Sequence, residues 1–154
     1  MAIKVYLDTS TLSACDDERV PEFGQITRDL FNGGRDRFVY YVSKVVVAEV
    51  DAAPETKARK MHGWMKLLHC NSLDEDEMIR ALALSYLRER VLPEKSVADA
   101  FHMAYATYYK MDYLLSWNFS HLANERRNQA MWKFNFKQGL GSPKIVTPGS
   151  LLET

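Results

Sequence analysis

Four oxygen-bearing side chains in this sequence occur at positions where they could act together. Asp8 directly follows the apolar run Ile3–Leu7, and Asn118 follows another apolar run much later in the chain. Asp99 lies at the start of a helical stretch, and Glu49 lies in a valine-rich stretch. Ligands of open parallel sheets bind beyond the carboxyl ends of the strands. We therefore expect these four side chains to converge at one edge of a sheet.

A site made only of oxygen ligands suits a hard divalent cation such as Mg²⁺ or Mn²⁺. Such an ion positions a phosphodiester and activates water for in-line attack. Each residue also has a structural interpretation. Asp8 could end a strand, Asp99 could be the acid of a capping box, and Asn118 could be a turn residue. Glu49 could be a solvated helix glutamate.

The elements that must position these side chains alternate between strands and helices. Runs rich in β-branched and aromatic residues predict strands at 3–7, 38–42, 113–116 and 144–147. Ser43 could cap a helix over the valines that follow it, although three consecutive valines suit a strand equally well. Charge spacing favours a helix over 55–68. Strands separated by helices predict an α/β domain with a mainly parallel sheet.

Two capping-box patterns predict further helix starts. The sequence 72–75 (SLDE) predicts a helix that runs to about Arg90, and 96–99 (SVAD) predicts one that continues through Lys110. Gly33-Gly34 is interpreted as a turn before the second strand. The stretch 121–141 is the least predictable part of the chain.

Length and composition limit the class of protein. The chain has 154 residues without repeats or linker-like stretches, which predicts a single domain over residues 1–154. Twenty basic residues balance 20 acidic ones, so the chain is not a polycation that coats nucleic acid. No apolar run is long enough to span a membrane. Two cysteines and no visible secretory signal favour a reducing compartment, and a cytoplasmic protein is expected.

Spacing argues against three other chemistries. A phosphatase of the haloacid dehalogenase type needs a second aspartate two residues after the first, where Ser10 stands. The histidines and cysteines show no Cys-x-x-Cys or His-x-x-x-His pairing that would support a zinc site. No P-loop motif is present.

Five sequence motifs resemble those of PIN-domain ribonucleases, and the VapC-like toxins most of all. They are 3–12 (IKVYLDTSTL), 43–50 (SKVVVAEV), 97–106 (VADAFHMAYA), 113–124 (YLLSWNFSHLAN) and 145–151 (IVTPGSL). The motifs occur in the family's order over nearly the whole chain, with weaker likeness in the parts between them. The resemblance implies a three-layer α/β/α fold with a central, mainly parallel sheet.

The resemblance also implies roles for individual residues. Asp8, Glu49 and Asp99 match the family's three core acids, which bind Mg²⁺ or Mn²⁺. Asn118 matches a fourth position that is often aspartate, so this chain lacks one negative charge there. A second metal position would be weakened or absent as a result. Together these four residues are the predicted catalytic set.

Ser10 and Ser116 match small hydroxyl residues that orient ligands or water in this family. The family typically hydrolyses RNA and leaves a 5′-phosphate on the downstream fragment. VapC-like members usually form dimers and are silenced by a cognate antitoxin. The partners implied for this chain are therefore RNA, an antitoxin protein and a second copy of the chain.

Basic residues are enriched after Asn118, where five of them outnumber two acidic residues. Arg126, Arg127 and Lys133 are therefore candidate RNA contacts, because cations attract phosphate. A solvated basic face is the alternative interpretation. The predicted function is a metal-dependent endoribonuclease, the toxin of a type II toxin–antitoxin pair. A PIN-fold scaffold that binds RNA or protein without cleavage is the alternative function.

Overall fold

The computed structural model describes residues 2–33 and 36–154. These residues form five strands: β1 (Ile3–Leu7), β2 (Phe38–Ser43), β3 (Asn71–Leu73), β4 (Tyr113–Leu115) and β5 (Lys144–Val146). They also form eight helices: α1 (Thr9–Ala14), α2 (Pro21–Gly33), α3 (Lys44–Asp51), α4 (Glu55–Leu67), α5 (Glu77–Arg88), α6 (Val97–Tyr108), α7 (Glu125–Lys137) and α8 (Pro148–Leu152). Gly34, part of the predicted turn, lies outside the described residues.

The five strands lie parallel in one sheet with the order β3-β2-β1-β4-β5. The chain adds β2 and β3 on one side of β1 and then crosses over to add β4 and β5 on the other side. The order in which strands are added to the sheet therefore reverses between β1 and β4. These two strands are parallel neighbours, and their register pairs Leu7 with Leu115. In sheets of this kind, a crevice for ligands opens beyond the carboxyl ends of the two strands at the reversal.

The central strand β1 is covered on both faces. Its last three residues, Val5, Tyr6 and Leu7, are fully buried, and successive strand residues point to opposite faces of a sheet. Helices α5 and α6 pack against each other, and α2 packs against α8. The prediction of a three-layer α/β fold with a mainly parallel sheet is confirmed.

Within residues 2–33 and 36–154, no helix is long and apolar enough to cross a membrane.

The helix predicted from the pattern at 72–75 begins later than predicted. Residues Asn71–Leu73 form the edge strand β3 and pair with the end of β2. Helix α5 follows Asp76, whose carboxylate accepts hydrogen bonds from the backbone N–H groups of Met78 and Ile79 at 2.8 and 3.1 Å. The capping-box prediction at 72–75 is therefore wrong, because the strand partner that orders this segment is distant in the sequence.

The valine-rich stretch after Ser43 forms the helix α3 rather than a strand. The Ser43 hydroxyl oxygen accepts a hydrogen bond from the backbone N–H of Val46 at 3.4 Å and caps the helix. Helix α7 occupies the stretch that was least predictable. Its N-cap is Asn124, whose side-chain oxygen accepts a hydrogen bond from the backbone N–H of Arg127 at 2.8 Å.

Candidate active site

Asp8 lies at the carboxyl end of β1, beside the end of β4. Its backbone N–H donates to the carbonyl oxygen of Leu115 at 3.2 Å and thereby joins the two strand ends. Asp8 is also the N-cap of α1, since its Oδ1 accepts a hydrogen bond from the backbone N–H of Thr11 at 3.2 Å. The residue is only 4 % exposed. The turn from strand to helix thus fixes a buried carboxylate at the edge of the sheet where the strand order reverses.

Two serine hydroxyls hold the Asp8 carboxylate in place. Ser10 donates to Oδ1 at 2.6 Å, and the fully buried Ser116 donates to Oδ2 at 2.5 Å. Burial raises the pKa of Asp8, whereas nearby His102 and the two serine hydrogen bonds oppose that rise. The structure therefore places both predicted supporting serines in direct contact with Asp8.

Glu49 reaches the same edge of the sheet from α3. Its Oε1 accepts a hydrogen bond from the Thr9 hydroxyl at 2.7 Å and lies 3.1 Å from Nε2 of His102. Because Thr9 directly follows Asp8, this contact ties α3 to the turn that carries Asp8. The hydrogen bond from His102 lowers the pKa of Glu49 against the effect of its partial burial. Glu49 is therefore an ionised carboxylate at neutral pH.

Asp99 occupies the first turn of α6 and is half-buried. A capping box is not formed there, because the backbone N–H of Ser96 donates to the carbonyl oxygen of Pro93 at 2.9 Å. Burial raises the pKa of Asp99, and the Glu49 carboxylate adds to the rise while His102 opposes it. Within the described part of the chain, the Asp99 carboxylate makes no hydrogen bond. It is thus available to a ligand.

Asn118 belongs to the turn that follows β4. Its Oδ1 accepts a hydrogen bond from the backbone N–H of His121 at 3.1 Å, so its side chain stabilises that turn. Its backbone N–H donates to the hydroxyl oxygen of Ser116 at 3.0 Å. Since Ser116 also donates to Asp8, the turn is connected to the buried carboxylate through one side chain. The structure brings Asn118 to the site through this connection rather than through direct contact with Asp8.

Neither His102 nor Tyr6 is among the site residues predicted from the sequence, and Ser43 is predicted there only as a possible helix cap. The Tyr6 hydroxyl lies 2.6 Å from the Ser43 hydroxyl oxygen and 2.7 Å from Nδ1 of His102, and all three side chains are buried. Because the Glu49 carboxylate only accepts hydrogen bonds, Nε2 of His102 carries a proton. The signal that points to His102 is its spacing three residues after Asp99, which places both on one helix face.

The donor atoms at this edge are carboxylate and hydroxyl oxygens, which suit Mg²⁺ or Mn²⁺. Asp8, Glu49 and Asp99 are the residues that would hold such an ion. In the ranges 2–33 and 36–154, no three His, Cys, Asp or Glu side chains are close enough together to hold one ion directly. Mg²⁺ usually keeps several waters in proteins. The raised pKa values of Asp8 and Asp99 mean that a cation here would relieve the cost of their negative charges.

The three candidate RNA contacts have different surroundings. Arg126 and Lys133 are exposed on α7. Arg127 is half-buried and donates from Nε to the carbonyl oxygen of His121 at 2.9 Å, and from Nη1 to the carbonyl oxygen of Val91. Arg127 therefore fastens the turn after β4 to the segment after α5. Its guanidinium is largely committed to this structural role.

No protein-family model and no curated protein matches the sequence. The fold does have a counterpart among solved structures. It is similar to a chain in the crystal structure of VapBC2 from Rickettsia felis bound to a DNA fragment from its promoter, with a TM-score of 0.60 and 12 % sequence identity. The alignment covers 94 % of this chain and 98 % of that chain. This likeness shows the fold, which is the PIN-like fold that the sequence motifs predict.

Proposed function

We propose that this protein is a metal-dependent endoribonuclease that hydrolyses phosphodiester bonds in RNA. The observation that carries the proposal is the buried Asp8 carboxylate, which Ser10 and Ser116 hold at the point where the strand order of the parallel sheet reverses. Glu49 is joined to the same turn through Thr9, and Asp99 lies one helical turn before His102, which contacts Glu49. The fold likeness to a chain of VapBC2 supports the proposal.

The three carboxylates would hold Mg²⁺ or Mn²⁺, directly or through water. When bound, the ion would polarise the scissile phosphate and lower the pKa of a bound water. Ser10 and Ser116 hold both oxygens of Asp8 in fixed positions. Such fixed orientation matters because catalytic groups lose much of their effect when they are misplaced by about 1 Å.

Further residues support the acids and the substrate. His102 and Thr9 fix the orientation of Glu49. Asn118 completes the site as a neutral ligand or as a hydrogen-bond partner of the substrate. Arg126 and Lys133 supply positive charge for the phosphates of RNA.

We further infer that the protein is the toxin of a type II toxin–antitoxin pair and that it forms a homodimer. The support is the resemblance of its motifs to VapC-like toxins and the likeness of its fold to a chain of the VapBC2 complex. An antitoxin that covers the crevice beside Asp8 would block RNA from the carboxylates. Co-expression with the product of a neighbouring reading frame tests this pairing.

The proposed activity is tested by incubating the protein with a mixed pool of RNA in Mg²⁺, in Mn²⁺ and in EDTA. We expect cleavage with either ion, 5′-phosphate ends on the products, and no cleavage in EDTA. Asp8→Asn is expected to lower the rate by at least 100-fold and to weaken Mn²⁺ binding measured by calorimetry. The matched control is Asp29→Asn, which removes an exposed carboxylate on α2.

Two results would overturn the proposal. One is a wild-type protein that cleaves no RNA in either ion, and the other is an Asp8→Asn variant that cleaves as fast as the Asp29→Asn control. RNA binding without cleavage would identify the protein as a scaffold, which is the alternative that the missing acid at Asn118 suggests.

A further inference from the structure

A cleft of about 710 Å³ opens between the C-terminal end of α5 and the N-terminal end of α7. Four arginines line it, and Glu94 is its one acidic lining residue among the described residues. The four are Arg88, Arg90, Arg126 and Arg127. A chain with no net charge thus concentrates positive charge in one recess.

Three of these arginines are available to a ligand. Arg88, Arg90 and Arg126 are exposed, and within residues 2–33 and 36–154 none of them forms an ion pair with an acidic side chain. Arg88 donates only to the Ser85 hydroxyl of its own helix, at 3.2 Å. Arg127, in contrast, donates hydrogen bonds to the backbone carbonyl oxygens of His121 and Val91 and so joins the turn after β4 to the segment after α5.

Two further recesses adjoin the arginine cleft. A second cleft of about 680 Å³, lined by Asp99 and His121, shares Pro93 and Glu94 with it. A third groove of about 370 Å³ shares Arg90. That groove adds two more cations from α7, Lys133 and Lys137. The three recesses therefore adjoin one another, and basic side chains outnumber the acidic Glu89 and Glu94 along the arginine cleft and the third groove. The recess on the other side is lined by Asp99, an acid of the proposed active site.

We propose that the arginine cleft binds the phosphate backbone of single-stranded RNA beside the scissile bond, an inference that rests on the proposed function. Guanidinium groups bind phosphate oxygens in a bidentate manner. A single strand is flexible enough to follow three connected recesses from Lys137 to Asp99. The cleft thus sets the path of the substrate and requires an RNA that extends several nucleotides beyond the cleaved bond.

The test measures binding of a fluorescein-labelled 12-nucleotide oligouridine by anisotropy in EDTA, so that no cleavage occurs. The test variant is Arg88→Gln/Arg90→Gln/Arg126→Gln. The control variant, Lys57→Gln/Lys60→Gln/Lys66→Gln, removes the same charge from exposed positions on α4. A cooperative thermal unfolding transition is required of each variant as the check that it is folded. If the triple variant fails this check, the single variant Arg126→Gln replaces it.

We expect the arginine variant to bind RNA at least tenfold more weakly than the wild type, and the lysine control to stay within about twofold. The logarithm of the binding constant falls with the logarithm of the salt concentration, and each lost phosphate contact on a single strand makes this slope less steep by about 0.7. Loss of three contacts should therefore make the slope less steep by about 2. Equal affinity and slope for wild type and arginine variant would overturn the inference, as would an equal loss in the lysine control.

An acidic protein segment is the competing occupant of the cleft. If the three arginine substitutions abolish binding of a labelled oligoglutamate peptide but leave oligouridine binding unchanged, the inference is wrong. Because these measurements use no metal, failure of the cleavage assay leaves them unaffected. The cleft and the proposed reaction are therefore tested separately.

Discussion

The buried carboxylate of Asp8 makes the stability of the protein depend on pH. Its native pKa is raised above the ordinary value of 3.8, mainly by burial, so the folded state keeps the Asp8 proton to higher pH than the unfolded state. Stability from this residue is therefore lost as pH rises through the window above 3.8. Each unit by which the native pKa exceeds the pKa in the unfolded state corresponds to about 1.4 kcal/mol of the free energy of unfolding.

Asp8→Asn removes this titration, since an amide keeps a similar shape without a charge. In EDTA, we expect the variant to gain stability relative to the wild type between pH 4 and pH 7. The gain should be about 3 °C in Tm for each kcal/mol in a chain of this size. Thermal unfolding across this range checks it, and a constant difference in Tm would contradict it. Glu49 is present in both proteins, so its lowered pKa cancels in the comparison.

His102 is a positioning residue for Glu49, and Tyr6 fixes its ring. Tyr6→Phe removes the hydroxyl at Nδ1 of His102, so we expect kcat for RNA cleavage to fall about tenfold with little change in KM. Outer partners of metal ligands typically have effects of 10–100-fold. Tyr86→Phe is the matched control, because that buried hydroxyl contacts Thr107 and lies in another part of the core.

The two tyrosine variants separate positioning from stability. Each loses a buried hydroxyl and is expected to lose about 1 kcal/mol of stability. Only Tyr6→Phe should change kcat. An equal effect of both variants on kcat would show that His102 has a structural role alone.

Asn118 is the residue where this chain departs from the acidic pattern of the family it resembles. We expect Asn118→Asp to tighten Mn²⁺ binding, because a carboxylate adds a negative charge that the neutral amide lacks, and to maintain or raise the cleavage rate. One carboxylate oxygen can still accept the hydrogen bond from His121. Calorimetry and cleavage assays on the same preparations check both effects.

The outcome for Asn118→Asp distinguishes its roles. A lower rate with tighter Mn²⁺ binding would mean that the amide donates to the substrate phosphate. Unchanged affinity and an unchanged rate would show that Asn118 lies outside the functional site.

Among the helices, α5 and α6 show that similar capping patterns can have different outcomes. Asp76 accepts two backbone hydrogen bonds at the start of α5, whereas the side chain of Ser96 makes no capping bond at the start of α6. Asp76→Ala should therefore cost about 1 kcal/mol of stability. Ser96→Ala and Ser72→Ala, the residues that the sequence pattern favours, should each cost less than about 0.5 kcal/mol.

Urea unfolding of these three variants checks the assignment of the caps. A cost for Ser72→Ala equal to that for Asp76→Ala would contradict it. The variants are compared only where the free energy of unfolding falls with urea concentration at the same slope as in the wild type. A shift of the midpoint then reports a change in stability alone.

For the whole molecule, the exposed apolar side chains of α5 favour association. Met78 and Leu84 are 63 % and 53 % exposed. The valines of α3, in contrast, are half-buried or buried, so α3 offers no comparable apolar surface. We therefore expect a two-fold dimer through α5, with twice the 17.8 kDa mass of the chain in light scattering at micromolar concentration. Leu84→Glu should yield a monomer.

Leu67→Glu is the control for this prediction, since Leu67 is an exposed leucine on α4. It should leave the mass unchanged. A wild-type protein that scatters as a single chain would contradict the dimer, and dissociation by Leu67→Glu alone would place the interface on α4.

The sequence by itself determined the alternation of strands and helices and the positions of the acids at their ends. Strand β1 follows from its own local run of apolar residues. The valines after Ser43 suit a strand as well as a helix, and the local Ser43 cap at the N–H of Val46 accompanies the helix. The expected convergence of Asp8, Glu49 and Asp99 follows from one general property of parallel sheets, the shared edge of their carboxyl ends.

The tertiary structure decided the features that depend on contacts between distant segments. Strand β3 exists because its backbone pairs with β2, and this pairing overrides the capping pattern at 72–75. The contact of Tyr6 with His102 joins β1 to α6, and the cleft of Arg88 and Arg126 joins α5 to α7. Local sequence carries no signal for such pairs, since only the packing of the whole chain fixes which surfaces meet.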